Sequence, residues 1–491
     1  MLFVLAALLL DDPRPAPPAI TVRLVRPREQ GERLLTLFEG AKAPHPAAVL
    51  AGYKRAKGGD TGLGKPLDAT ISALNPGMIA ELGTLDDATF ALGWNITGRV
   101  AWNALVPRDD GTFAAFATAG VLTDGATDPP IDGLPVDRLG PKATAIVAAR
   151  DPGGFLVAGS RDDLAGALRR SREALPRAPI ESGWLVHLDP KGLDREGIPL
   201  RARRVGVGLA KQGAEGLDAA IRLEGETLRA DVRVRYATPP GFARATIAPA
   251  WLDAIPVEGT LAAFAYALDP SPAAWNATFD LLDAVDRADP ARANLAPLRL
   301  RLNLLGSAAV IKPDADLWPR LLGVSGFVTV DPSGNVDGVL LRLHAKDEPS
   351  AKRLETLTLP RIARAALGLK PNDPAGPSAL QVRGETLSFH REGQDVAIAW
   401  GDAALARSTK DARLRAEVGT GAQRFAAFWP GRLKALALPD APPVVWVGSF
   451  EGNASLDTVR WPGLKAVVRR VLERMPFDPP PDVATPLRDR R

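Results

Sequence analysis

The chain predicts an α+β fold, with antiparallel sheets built of hairpins and helices on one face, in two related halves. Three observations carry this. Apolar, β-forming runs come in pairs around short Asp, Gly, Pro and Asn turns. Helical stretches with one apolar face follow groups of such strands rather than separating each strand from the next. The 491 residues suffice for two or three domains, and 46% hydrophobic with 24% charged residues is ordinary globular composition.

In chain order, residues 20–80 look helical and mixed, with Pro46 at the first turn of a helix over 46–55. From Asp86 the character changes to strands. Residues 88–97 are rich in β-formers, 100–107 and 112–119 flank an Arg108-Asp109-Asp110-Gly111 turn, and 143–149 and 155–159 flank Asp151-Pro152-Gly153-Gly154. A helix is expected over 161–175 and a strand over 184–188. Residues 217–223 and 228–236 form a hairpin around Gly225-Glu226, and in its second arm Leu228, Ala230, Val232, Val234 and Tyr236 alternate with mostly charged residues.

The second half repeats this vocabulary. A strand over 260–268 precedes a helix over 272–285, and strands at 327–330 and 336–344 flank Asp331-Pro332-Ser333-Gly334-Asn335. Residues 351–367 look helical with a break or kink at Pro360. Three strands follow at 379–382, 386–389 and 396–400, then a short helix over 402–409. A hairpin at 444–450 and 455–459 and a helix over 462–475 complete the set. These elements divide the chain into an apolar leader and Pro-rich linker (1–19), two α+β domains (20–240 and 241–475, parted near Pro239-Pro240-Gly241) and a charged, Pro-rich tail (476–491) expected to be disordered. Residues 157–164 lie over 398–405 as a faint internal similarity between the halves.

Composition removes several chemistries. The chain has no cysteine, which excludes disulfides, thiolate metal sites and cysteine nucleophiles. The net charge of +4 is a small excess on a long chain, and the Arg clusters at 169–170, 201–204 and 469–470 have no aromatic interleaving, so nucleic acid is not an expected partner. The leading run Met1–Leu10 is about half a membrane span and fits the apolar region of a secretory signal, although no Lys or Arg precedes it. No later segment has the length and apolarity of a transmembrane span.

No catalytic, cofactor-binding or metal site is expected. Gly59–Lys65 has P-loop spacing, but Pro66 stands where Ser or Thr should hold magnesium. The four histidines, His45, His187, His344 and His390, show no ligand spacing, and a hydrogen-bonded core role suits those on strands. Ser160 reads as a helix N-cap rather than a nucleophile, and the adjacent pairs Asp86-Asp87, Asp109-Asp110 and Asp162-Asp163 sit at turns and caps. Trp94, Trp102, Trp184, Trp400 and Trp446 fall on predicted strands, where they either complete cores or line a glycan or lipid groove.

The apolar leader, the strand-turn-strand units and the helix start Ser160-Arg161-Asp162-Asp163-Leu164 give the chain a style that resembles exported proteins of unknown function from GC-rich bacteria such as planctomycetes. That resemblance implies no activity. The sequence predicts an exported envelope protein, non-catalytic, that binds a partner protein or an apolar or glycan ligand between sheet and helices. A carboxylate-dependent hydrolase of an envelope polymer and a purely structural component are the competing classes.

Overall fold

A computed structural model of the chain describes residues within 20–475; the larger internal stretches it leaves aside are 57–70, 108–126, 166–179, 369–378 and 402–412. The chain falls into two compact units. One comprises residues up to 199, 217–229 and from 464 onward, and the other 200–216 and 230–463.

In the first unit the strands are β1 (Ile20–Val25), β2 (Asp87–Trp94), β3 (Val100–Pro107), β4 (Thr127–Ile131), β5 (Leu134–Leu139), β6 (Ile146–Asp151), β7 (Gly154–Ala158), β8 (Gly183–Leu188) and β9 (Ala214–Glu224). They pair antiparallel in the order β4-β5-β6-β7-β3-β2-β1-β8-β9. Helices α1 (Pro27–Thr36), α2 (Pro46–Ala56), α3 (Pro76–Glu81) and α11 (Leu464–Glu473) belong to the same unit. Leu37, Phe38, Ala43, Leu223 and Leu472 form a shared core there. Buried Gln30 ties α1 to it with both ends of its amide. It donates to Ser182 Oγ at 2.9 Å and accepts from the Leu223 amide at 2.9 Å, so neither polar end is left unsatisfied in the interior.

The second unit contains β10 (Thr227–Tyr236), β11 (Thr260–Ala267), β12 (Leu321–Val330), β13 (Val336–Ala345), β14 (Ala379–Val382), β15 (Glu385–Glu392), β16 (Asp395–Trp400), β17 (Ala422–Phe428), β18 (Val444–Glu451) and β19 (Ala454–Trp461). Their order is β14-β15-β16-β13-β12-β11-β17-β18-β19-β10, and every pairing with a defined register is antiparallel. Hairpin turns set these registers. Asp331 accepts from the Asn335 amide at 2.9 Å, and Gly334 takes the left-handed conformation at φ 79°.

Because side chains alternate along a strand, this sheet has two distinct faces. One is rich in alanine. Ala263, Ala265, Ala267, Ala397, Ala399 and Ala427 pack with Phe327, Leu340 and Phe425 beneath the short helices α5 (Pro249–Asp253) and α10 (Arg413–Val418). Small residues let those helices come close. The opposite face carries Leu321, Leu343 and Val396, and it is covered by α6 (Pro272–Ala288), α7 (Leu298–Ala308), α8 (Glu348–Arg353) and α9 (Leu359–Ala366). Helix α4 (Leu200–Lys211) packs against α6.

The α+β class and antiparallel hairpin sheets are observed as expected, but helices cover both faces of the second unit's sheet rather than one, because both faces carry apolar side chains, and several local readings change. Residues 20–25 form a strand rather than part of a helical region, because β2 and β8 supply hydrogen bonds on both edges. The break or kink expected at Pro360 falls in the turn just before it. The preceding turn widens to a π-helix over Leu354–Thr358, and Pro360 falls at the second position of α9, where its missing N–H costs least. Residues 422–428 and 298–308, neither expected to be an element, form β17 and α7. The apolar leader, residues 402–409, most of 161–175 and the tail lie outside the described residues.

Phe425→Ala on the alanine-rich face should cost about 3–5 kcal/mol, because Phe425 is fully buried in that core. Leu304→Ala, on an exposed position of α7, should change stability by less than about 0.5 kcal/mol. Urea unfolding of the two variants checks the contrast.

Candidate functional site

One row of side chains crosses the sheet of the second unit. Antiparallel registers place Val396, Leu343, Val324, Tyr266, Arg424, Gly448 and Asp457 side by side on β16, β13, β12, β11, β17, β18 and β19. The row points to the face covered by the long helices. It is apolar from β16 to β12 and polar from β11 to β19. Above it lies a cavity of about 820 Å³.

The roof and walls are apolar. Trp275, Phe279 and Leu282 of α6, Leu302 of α7, Leu359 and Ile362 of α9, and Trp318 meet Leu341 and Ile398 of the sheet. Trp275 and Trp318 stand edge-on at 5.1 Å between ring centroids, and Phe279 lies 4.1 Å from Trp275. Such tilted aromatic contacts fix the rings that shape the space. Two cavity-lining residues are also exposed to solvent, Leu282 at 43% and Trp446 at 36%. Thr278 Oγ1 and Trp318 Nε1 are buried polar atoms on the lining with no hydrogen-bond partner among the described residues.

At the polar end, Arg424 is almost fully buried and grips Asp457. Its Nε and Nη2 donate to Oδ1 at 3.1 and 3.0 Å, and Nη2 donates to Oδ2 at 2.9 Å. Nη2 also donates to Ser455 Oγ at 2.7 Å and Nη1 to Gln423 Oε1 at 3.1 Å. Trp446 Nε1 donates to Asp457 Oδ1 at 2.9 Å, and the guanidinium lies 5.2 Å from the Phe450 ring centroid. Gly448 makes this possible. A Cβ at that position would collide with both Arg424 and Asp457, so only glycine leaves the lane through which the pair closes. Tyr236 and Tyr266 stand beside the pair. Burial pushes the Tyr236 phenol up to about 12 against the pull of Arg424, and raises Tyr266 for the same reason. Both phenols are therefore protonated donors at neutral pH, and neither oxygen has a hydrogen-bond partner among the described residues.

The opposite face holds a second polar array. Ser325 Oγ lies 2.8 Å from His344 Nε2, and His344 Nδ1 lies 2.8 Å from Asp395 Oδ1. The sequence of groups is that of a nucleophile, a base and an orienting carboxylate. Its setting is that of a sealed core. Ser325 is 2% and His344 1% exposed, and the Trp251 indole stacks on the imidazole at 4.1 Å with 7° between planes. The array thus satisfies a buried histidine, the role expected for strand histidines.

Among the expected residues, His45 accepts from the Ala48 amide at 3.2 Å at the start of α2, and His187 pairs with Asp218 at 2.7 Å on β8 and β9. Of the five tryptophans singled out, Trp446 lines the cavity and Trp400 is exposed. Trp275 and Trp318, which the strand pattern does not mark, supply the aromatic wall. Residues 57–66, Asp86, Asp109-Asp110, Ser160, Asp162-Asp163 and Arg169-Arg170 lie outside the described residues. No sequence pattern marks Arg424 and Asp457, since buried charge is legible only once its partner is known.

No family model matches the chain. No curated protein matches it. Among solved structures, crystal forms I, III and IV of TP0453 are similar at a TM-score of 0.23 and 6–7% identity, over 44–47% of this chain and 76–78% of that one. A likeness at this level carries no argument about fold or function.

Arg424→Met should cost about 3–5 kcal/mol by leaving Asp457 buried and unpaired, whereas Arg424→Met with Asp457→Leu should recover most of that loss. A denaturation cycle over the four proteins measures the coupling. Burial lowers the His344 pKa below its usual 6.5, with Asp395 pulling it back up and Arg342 pushing it down. The folded state therefore holds His344 neutral. Its contribution is complete above about pH 6.5 and is lost as pH falls below that value, because the unfolded chain takes up the proton first. His344→Gln should flatten the fall in stability between about pH 7 and 5, as read by thermal melts at each pH.

Proposed function

We propose that this is a non-catalytic binding protein of the cell envelope that takes an apolar ligand into the cavity between the sheet and the long helices of its second unit. The cavity carries the reading. Its volume of about 820 Å³ lies within the roughly 300–1,000 Å³ common for small-molecule sites. Its lining supplies hydrocarbon and aromatic surface with few polar groups, the charged pair of Arg424 and Asp457 lying at one end. Each ligand methylene transferred there from water is worth about 0.8 kcal/mol. A glycan fits worse, because its many hydroxyls would lose water and meet few partners.

Hydrolysis by a carboxylate pair lacks its second member at this site. Among the described residues Asp457 is the one acidic residue on the lining, and it is committed to Arg424, whereas glycoside hydrolysis needs two carboxyl groups about 5–10 Å apart. The export reading rests on the apolar run Met1–Leu10.

Leu341→Trp would place an indole in the cavity from the sheet. Nile red, a neutral apolar dye, should bind the native protein with enhanced emission and bind this variant at least about tenfold more weakly. Val324→Phe, a smaller intrusion from the next strand, guards against misfolding and should weaken binding in the same direction. Variants that melt like the native protein and bind the dye equally well would remove the cavity as the ligand site.

A further inference from the structure

We infer that the ligand is an amphiphile with an uncharged, hydrogen-bond-accepting head, such as an acyl ester or a long-chain alcohol, and that the cavity selects against a free carboxylate. This rests on the proposed binding role and adds the head-group chemistry.

The cavity has a chemical direction. Across the floor, Leu343 and Val324 give way to Tyr266, Arg424 and Asp457 in adjacent strands of one register row. A chain lying over the row meets hydrocarbon at one end and polar atoms at the other. Those polar atoms have a definite balance. Among the described residues, the charged ones on the lining are Arg424 and Asp457, and they cancel as a closed ion pair. Arg424 spends Nε, Nη1 and Nη2 on Asp457, Gln423 and Ser455, while the Trp446 N–H is spent on Asp457. Beside the ion pair, the neutral groups with capacity to spare are the Tyr236 and Tyr266 hydroxyls, held in the protonated, donating form by burial; Thr278 Oγ1 and Trp318 Nε1 add two more uncharged donors elsewhere on the lining. A donor pair beside a neutralised ion pair suits a carbonyl, ether or hydroxyl oxygen. A carboxylate would have to shed its water, face Asp457 and gain no free cation in return. A fatty-acid site would instead present an arginine without an acidic partner.

The test is displacement of Nile red from the full chain at neutral pH by a matched series of dodecane, methyl dodecanoate, dodecanol and dodecanoate. Methyl dodecanoate and dodecanol should displace the dye at least about tenfold better than dodecanoate, the equivalent of one lost charge-compensating contact. Asp457→Asn, which frees Arg424, should close that gap by raising dodecanoate affinity. Tyr266→Phe should reduce the preference for ester over dodecane about fivefold, the value of one hydrogen bond. Dodecanoate binding the native protein as well as the ester does would overturn the head-group assignment and leave the cavity reading standing. Failure of the dye and of all four compounds to bind would overturn both.

Discussion

The register of seven antiparallel strands is the constraint from which the rest of the second unit follows. It sets Val396, Leu343, Val324, Tyr266, Arg424, Gly448 and Asp457 in one line. A slip of one residue in any of these pairings would turn the side chains of that strand to the other face. The buried guanidinium of Arg424 would then sit among the alanines, and Asp457 would lose its partner. Within this line Gly448 is as necessary as the charges, because the ion pair closes through the space where a side chain would otherwise stand. The pair gives polarity to the cavity and closes only in this register.

The two faces of the sheet solve the packing problem in opposite ways. On one, alanines draw α5 and α10 close, and what polar groups exist, such as Ser325 and His344, are sealed by mutual hydrogen bonds and by the Trp251 ring. On the other, large residues of the sheet and of α6 and α9 meet through aromatic contacts and leave a volume unfilled. Atoms lining such a space lack dispersion partners on one side. An apolar guest restores those contacts, so the architecture that opens the cavity also provides the driving force for filling it. The serine, histidine and aspartate array shows why geometry alone does not define a site. Its distances suit chemistry, whereas its burial suits a core.

Much of the framework was legible in the sequence. The turn Asp331–Asn335 and the hairpin at Glu451-Gly452-Asn453 depend on local chemistry, and both connect the strands they should. The strand histidines read as hydrogen-bonded, and His344 is. What escaped was whatever depends on distant partners. β1 is a strand because β2 and β8 flank it. β17 contains Gln423 and Arg424, residue types that are mostly exposed in proteins, yet Gln423 is buried by donating to the Ala245 carbonyl at 3.0 Å and Arg424 by Asp457, 33 residues later. The segment Leu298–Ala308 alternates leucine with arginine in its first half, a pattern of period two, yet tertiary packing against α6 makes it a helix. The cavity itself has no sequence signal, since an unfilled space is a property of how elements meet.

The central claim is that the space over the Val324–Asp457 row exists to hold an apolar molecule. Native mass spectrometry of the protein purified from its own host, followed by denaturing extraction, tests this most directly. The account predicts a mass adduct that is released on unfolding and proves to be a lipid-class compound. A clean apo mass, from protein that also leaves lipid extracts of the same cells unbound, would contradict it.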